Sequence, residues 1–234
     1  MNSAETLSKV PGYLFATTEK GIRSYSANGA RQSFGVADEL PVTVNTKFDL
    51  ASLTKIVGTT ASLLHLIELG ELQVTDLACK YLESWQGTDK SEITIAELLL
   101  HQSGLAEWRP LYFTDDSQEN VAKQISRIPL TYPRNSGRRY SDLGFISLGE
   151  IIKAITKKDL TAAFTELVFN PLGMQNTSFA PVTGEVAATS LGDWYEKNMV
   201  ATNTPYKAPD ADKPSSEKNK AESGERYPDD VSDA

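Results

Sequence analysis

A single cysteine, Cys79, among 234 residues rules out an internal disulfide, and its surroundings, Leu77-Ala78-Cys79-Lys80, bring no histidine alongside. It reads as a structural thiol. Histidine is nearly as scarce. His65 lies mid-way along an apolar segment and His101 closes a helix before a Ser-Gly turn, so each reads as a satisfied buried or capping side chain, and no His/Cys/carboxylate cluster has metal-site spacing. No G-x-S-x-G elbow occurs, which leaves the α/β-hydrolase class without support. Basic residues are outnumbered 23 to 31, giving a net charge of −8 that disfavours nucleic acid and anionic membranes as partners. No apolar run reaches membrane-spanning length, and Met1-Asn2-Ser3-Ala4-Glu5 lacks the charged-then-apolar pattern of a leader; the expectation is a cytoplasmic protein without membrane partners.

What the chain does have is enough apolar character, 40% of its residues, for a sizeable core in one or two domains. It also has Ser52-Leu53-Thr54-Lys55, a hydroxyl and an amine three residues apart at the mouth of a segment, Ile56 to Ile67, that carries no formal charge. Residues three apart share one helical face, and Ser52 in a first turn would meet free amides and the positive dipole end. A helix apolar nearly all round is expected to be buried. Burial disfavours an ammonium, so Lys55 is expected to shift toward the neutral amine that could take the Ser52 proton. The same tetrad also suits an N-cap serine followed by a snorkelling lysine. Ser215-Ser216-Glu217-Lys218 repeats the spacing in a polar, proline-punctuated stretch with no core, so spacing alone does not define a site.

Context does. In order along the chain stand Phe48-Asp49-Leu50-Ala51-Ser52-Leu53-Thr54-Lys55, Leu98-Leu99-Leu100-His101-Gln102-Ser103-Gly104-Leu105, Tyr140-Ser141-Asp142-Leu143-Gly144-Phe145 and Asn170-Pro171-Leu172-Gly173-Met174. This succession resembles the serine β-lactamase family, in particular its class C β-lactamase, esterase and D-alanyl-D-alanine peptidase-like branch, over roughly residues 10 to 200. The resemblance implies an α+β (α/β) fold, like that of the penicillin-binding transpeptidases, in which a helical lobe packs beside an antiparallel sheet. It also implies Ser52 as acylated nucleophile, Lys55 as proton acceptor and Tyr140 as a second acid and base, the three meeting in a dry cleft. The division of labour between Lys55 and Tyr140 stays open. A phenol ordinarily titrates far above neutrality, so Tyr140 could serve as base only beside a cation that stabilises its anion. Tyr140 also suits an ordinary packed aromatic, and Tyr227-Pro228-Asp229 repeats its Y-x-D pattern.

By the same resemblance Asp142 would touch substrate, and Trp108 and Tyr112, in the loop from Gly104 to Phe113, would line the groove entrance; the loop equally suits one anchored by buried aromatics. Many family members carry Asn where Asp142 stands. An amide can donate to a substrate carbonyl, whereas an ionised carboxylate only accepts. The family's downstream Lys-Thr-Gly or His-Thr-Gly strand is not found: the only Thr-Gly, Thr183-Gly184, follows Val182 and comes early. Its absence would leave the Ser52 amide alone in the oxyanion hole, and one lost donor costs on the order of a hundredfold or more in turnover.

Around these motifs, Tyr13–Thr18 and Ile22–Ser26 read as a hairpin, Asn28-Gly29 as the next turn and Phe34–Val36 as a further strand. The Ser52 helix is expected to stop at Gly70. Thr94 and Glu97 form a capping-box pattern, and helices are expected over Val121–Ile128, Leu143–Thr156 and from Asp159 to Asn170. Ala187-Ala188-Thr189 resembles the family's lead-in to the second half of the sheet. Residues 1–200 would therefore form a β-lactamase-related domain with an incomplete sheet, as in a C-terminally shortened family member, and residues 201–234, poor in aliphatics, a disordered polar tail. Two functions follow: a serine hydrolase forming an acyl-enzyme with an ester, amide or lactam of a small molecule or peptide, or a catalytically incompetent relative or peptide-binding module. No cofactor or metal is implied, and oligomeric state is open.

Overall fold

The computed structural model describes residues 10–32, 40–111, 120–179 and 184–189. Its elements divide between two compact units, one built on residues 1–51 and 176–192 and the other on 52–175. The strand expected at Phe34–Val36, Tyr112 of the groove loop and the polar tail lie outside the described residues.

In the first unit β1 (Gly12–Glu19) and β2 (Ile22–Gly29) pair antiparallel from Gly12↔Gly29 to Glu19↔Ile22. The turn is Lys20-Gly21, both with positive φ (49° and 80°), the twist a two-residue hairpin needs. Asn28-Gly29 does not make a turn of its own. It is paired into the end of β2, where Gly29 (φ 78°) lies so close to Pro11 that a Cβ would sit 2.2 Å from its carbonyl oxygen. Residues 184–189 add to this unit: Val186 bridges Lys47 in parallel, and the Ala187 amide donates to the Lys47 carbonyl at 2.9 Å.

The second unit is helical. The segment from Ser52 begins as a 3-10 turn (Ala51–Leu53), widens into a π-type turn (Lys55–Thr60) and then becomes α1 (Ala61–Glu68), rather than running as one α-helix. The wide turn has one local cause and one distant one. Thr60 Oγ1 donates to the Lys55 carbonyl five residues back at 2.7 Å, and Gly58 is pressed on Phe164, whose ring would stand 2.4 Å from a Cβ there. Gly70, with φ 76°, ends the helix as expected, its neighbour Glu71 donating back to Leu66. The helix is not buried all round: Leu63 and Leu66 enter the core, while Ile56 is 61% and Leu64 59% exposed. Its uncharged composition masks a one-sided stripe.

Then follow α2 (Ile95–Leu99), α3 (Val121–Ser126), α4 (Asp142–Thr156) and α5 (Leu160–Phe164), which continues through a second π-type turn to Phe169. Each begins on a side-chain cap: the full Thr94/Glu97 box, Asn120, Ser141 and Asp159. The apolar residues at helical spacing, among them Leu98, Ile125, Leu148, Ile152 and Phe164, close one core with Trp85 and Leu63. Cys79, a free thiol, donates to the Ser91 carbonyl at 3.1 Å, and His65 Nδ1 lies 2.9 Å from the Leu167 carbonyl. Among the described residues no helix is long and apolar enough to cross a membrane.

Candidate active site

Four segments far apart in sequence meet at the start of α4. Ala51, immediately before Ser52, adopts φ 43°, a conformation that costs a non-glycine residue on the order of 1 kcal/mol and turns the chain sharply into the 3-10 turn. One turn on, Lys55 Nζ donates to Ser52 Oγ at 3.2 Å. The same ammonium lies 2.7 Å from Asp142 Oδ1. It also stands over the rings of Tyr140 and Phe145, 5.0 Å and 5.9 Å from their centroids.

The position of Tyr140 is set from below. Glu97, the N3 residue of α2, binds Arg134 with both oxygens (Nε to Oε1 3.1 Å, Nη2 to Oε2 3.0 Å) and accepts from Asn135 at 2.6 Å. Burial pushes its carboxyl up, but Arg134 and the Thr94 cap outweigh that and hold it below the ordinary glutamate value. The chain then runs beside the loop after α2, with the Asn135 amide on the Gln102 carbonyl and the Arg139 amide on the His101 carbonyl, 2.9 and 2.8 Å. Gly104 permits this approach: with φ 82°, its Cβ would fall 2.4 Å from the Tyr132 carbonyl oxygen. Ser141 caps α4, its hydroxyl accepting from the Gly144 amide and donating to the Ala106 carbonyl. Asp142 follows in the first turn, where a carboxylate suits the helix dipole.

Two expectations are corrected here. Burial of Lys55 does oppose its charge, but the Asp142 carboxylate and the Tyr140 hydroxyl more than compensate, so the amine is held above the ordinary lysine value and is an ammonium at neutral pH. The cleft is also not dry. Ser52 is exposed and Tyr140 stands 49% exposed, because the helix packs only its far side into the core. Lys55 and Asp142 are better covered, at 16% and 36% side-chain exposure.

Ser52, Lys55, Tyr140 and Asp142 are thus brought together. Trp108 is half-buried on a loop whose residue Glu107 accepts the Asp142 amide at 2.7 Å, and Leu105, Ala106 and Leu111 of that loop are buried. Tyr112 is outside the described residues. His101 is the satisfied buried side chain expected, hydrogen-bonded to Ser141; sequence reasoning passed over that link to the site and over the Glu97–Arg134 anchor. The capping box pointed to Glu97 but not to its second task, and the left-handed φ of 58° at His101 has no signature in a non-glycine residue.

Similarity to known proteins places the chain in a family. A family model described as Beta-lactamase matches residues 4–225. The "Putative D-alanyl-D-alanine carboxypeptidase" of Salmonella typhimurium is 30% identical over 175 residues, which are 67% of this chain and 40% of that protein. The chain therefore spans about two fifths of the length of that curated relative. Among solved structures, a class C β-lactamase from Rhodobacter sphaeroides superposes with a TM-score of 0.65 at 22% identity, over 77% of this chain and 50% of that one. The D-alanine carboxypeptidase from Burkholderia cenocepacia gives 0.66 at 23% identity, over 79% and 50%. These likenesses bear out the α+β fold, and with a family model matching nearly all of this chain, the chain belongs to the Beta-lactamase family.

Proposed function

We propose that this chain carries the acylating machinery of a serine hydrolase acting on an ester, amide or lactam carbonyl. The observation that carries the reading is the convergence of Lys55 Nζ on Ser52 Oγ (3.2 Å), Asp142 Oδ1 (2.7 Å) and the Tyr140 ring (5.0 Å) from segments some eighty-five residues apart in sequence. Ser52 Oγ attacks the carbonyl carbon and its proton passes to the Lys55–Tyr140 pair, once that pair has lost one proton. The pair returns the proton to the leaving oxygen or nitrogen as the C–O or C–N bond breaks. Water then attacks the acyl-enzyme, gives a proton to the same pair, and Ser52 Oγ recovers its hydrogen as the acid leaves. Lys55 stabilises the Tyr140 anion when the phenol is the acceptor, and a neutral amine is the acceptor otherwise. Asp142 opposes both, since either leaves its carboxylate uncompensated.

That opposition favours a second reading, a module that binds a peptide or acyl ligand with little or no turnover, in which Lys55 stays an ammonium on Asp142. One experiment separates the two. Under the first reading, a fluorophosphonate or a β-lactam adds its mass to the Ser52 peptide, a p-nitrophenyl ester is hydrolysed, and Ser52→Ala abolishes both. Ligand binding without labelling of folded protein, or equal labelling of Ser52→Ala, eliminates the hydrolase reading.

A further inference from the structure

We propose that His101 is a positioning residue through which the Tyr140-Ser141-Asp142 segment senses pH: its unprotonated Nδ1 holds the Ser141 amide, and adding a proton there releases the segment. For the site's chemistry the inference rests on the hydrolase reading; the coupling itself does not.

His101 Nδ1 accepts from the Ser141 amide at 3.0 Å, a contact buried on both sides. An acceptor Nδ1 requires a neutral ring carrying its hydrogen on Nε2. The ring lies between two aromatic neighbours, 4.6 Å from the Tyr140 centroid and 5.0 Å from that of Phe145, tilted 34° to each. The His101 carbonyl meanwhile accepts the Arg139 amide. One residue therefore grips the segment on either side of Tyr140, by backbone at Arg139 and by side chain at Ser141, and stacks on Tyr140 itself. Its left-handed backbone, φ 58°, is what lets carbonyl and ring both face the same segment.

Protonation turns Nδ1 from acceptor into donor and sets two N–H groups against each other. Ser141 is the cap of α4 and the neighbour of both Tyr140 and Asp142, so its displacement moves both relative to Lys55. The charges around the ring are Lys55 from the Ser52 segment, Arg138 from the approach to Tyr140, and Asp142 from α4; Glu97, on the preceding helix, is committed to Arg134 and Asn135. Burial first, then Arg138 and Lys55, push the imidazole below the ordinary histidine value, with Asp142 only partly offsetting them. The switch therefore operates on the acid side of the usual histidine range, with the segment held at neutral pH.

The test follows fluorophosphonate acylation of Ser52 between about pH 5 and 8 in the full chain, His101→Asn and His101→Phe, alongside NMR of 15N-histidine-labelled wild-type protein. Asparagine accepts the left-handed backbone and offers an oxygen near the Nδ1 position but does not titrate. Phenylalanine keeps the ring and loses the acceptor. Every variant should slow toward acid as the Lys55–Tyr140 pair is protonated. The expected result is a second, additional fall in wild type that is absent in His101→Asn, while His101→Phe is slower on the order of tenfold at neutral pH, as for a buried amide left unpaired, and converges with wild type in acid. The NMR should show Nδ1 unprotonated at neutral pH, with Ser141 amide and Tyr140 ring signals moving along the His101 titration curve. The same additional acid fall in His101→Asn as in wild type, or Ser141 and Tyr140 signals indifferent to His101, overturns the proposal. If no variant is acylated at any pH, the hydrolase reading falls, and the NMR co-titration still decides the coupling.

Discussion

Replacing Asp142 by asparagine removes one charge from the Lys55–Tyr140 pair while keeping its shape. At the 2.7 Å separation seen here, two unit charges attract by ~1.5 kcal/mol in bulk water and ~6 kcal/mol at the effective dielectric of a protein surface. Because Asp142 is about one-third exposed, solvent takes most of the larger figure, and a net of about 1 kcal/mol is the appropriate scale. With Asp142 present, withdrawing a proton from Lys55 or Tyr140 leaves an excess negative charge; with asparagine it leaves none. A change of about 1 kcal/mol therefore raises the deprotonated, base-competent population of the pair about fivefold at neutral pH, whichever atom holds the vacancy. The measurement is the second-order rate of fluorophosphonate acylation as a function of pH, with the thermal midpoint recorded in parallel. Asp142→Asn should label Ser52 about fivefold faster near neutrality, its alkaline-rising limb displaced to lower pH, and lose no more than a few degrees of thermal midpoint for the broken pair. An unchanged or slower rate in a protein that remains folded refutes the claim that Asp142 restrains the base.

Glu97→Gln keeps the capping box but breaks the two-point bond to Arg134, and should cost about 2 kcal/mol of stability by denaturant unfolding at neutral pH. Because the folded Glu97 carboxyl lies below its ordinary value of 4.5, that contribution is present above this value and fades as pH falls through the folded one; the wild-type advantage should therefore vanish in acid. Gly58→Ala drives a methyl onto the Phe164 ring and should destabilise by roughly 1–3 kcal/mol, read as a lower midpoint with an unchanged denaturant slope. An alanine there that is neutral would show that the wide turn at Lys55–Thr60 is not held by that contact.

The caps and stops were legible because they are local. Thr94, Asp159, Gly70 and the Lys20-Gly21 turn act within four residues of themselves, and the structure uses each as its spacing indicates. The one-sided exposure of the Ser52 helix was not, since Ile56 and Leu63 are equally apolar on the page and only packing against the lobe distinguishes them. The same holds for the widened turn, which needs the Phe164 ring to press on Gly58 from more than a hundred residues away.

By itself, then, the sequence determined the family, the helical order and the pairing of a serine with a lysine one turn on, because these follow from residue type and short spacing. Tertiary structure decided the chemistry of that pair. Whether an amine beside a serine is a base or a cation depends on what else reaches it, and only folding sets the carboxylate of Asp142 against Lys55 and the ring of His101 beneath Tyr140.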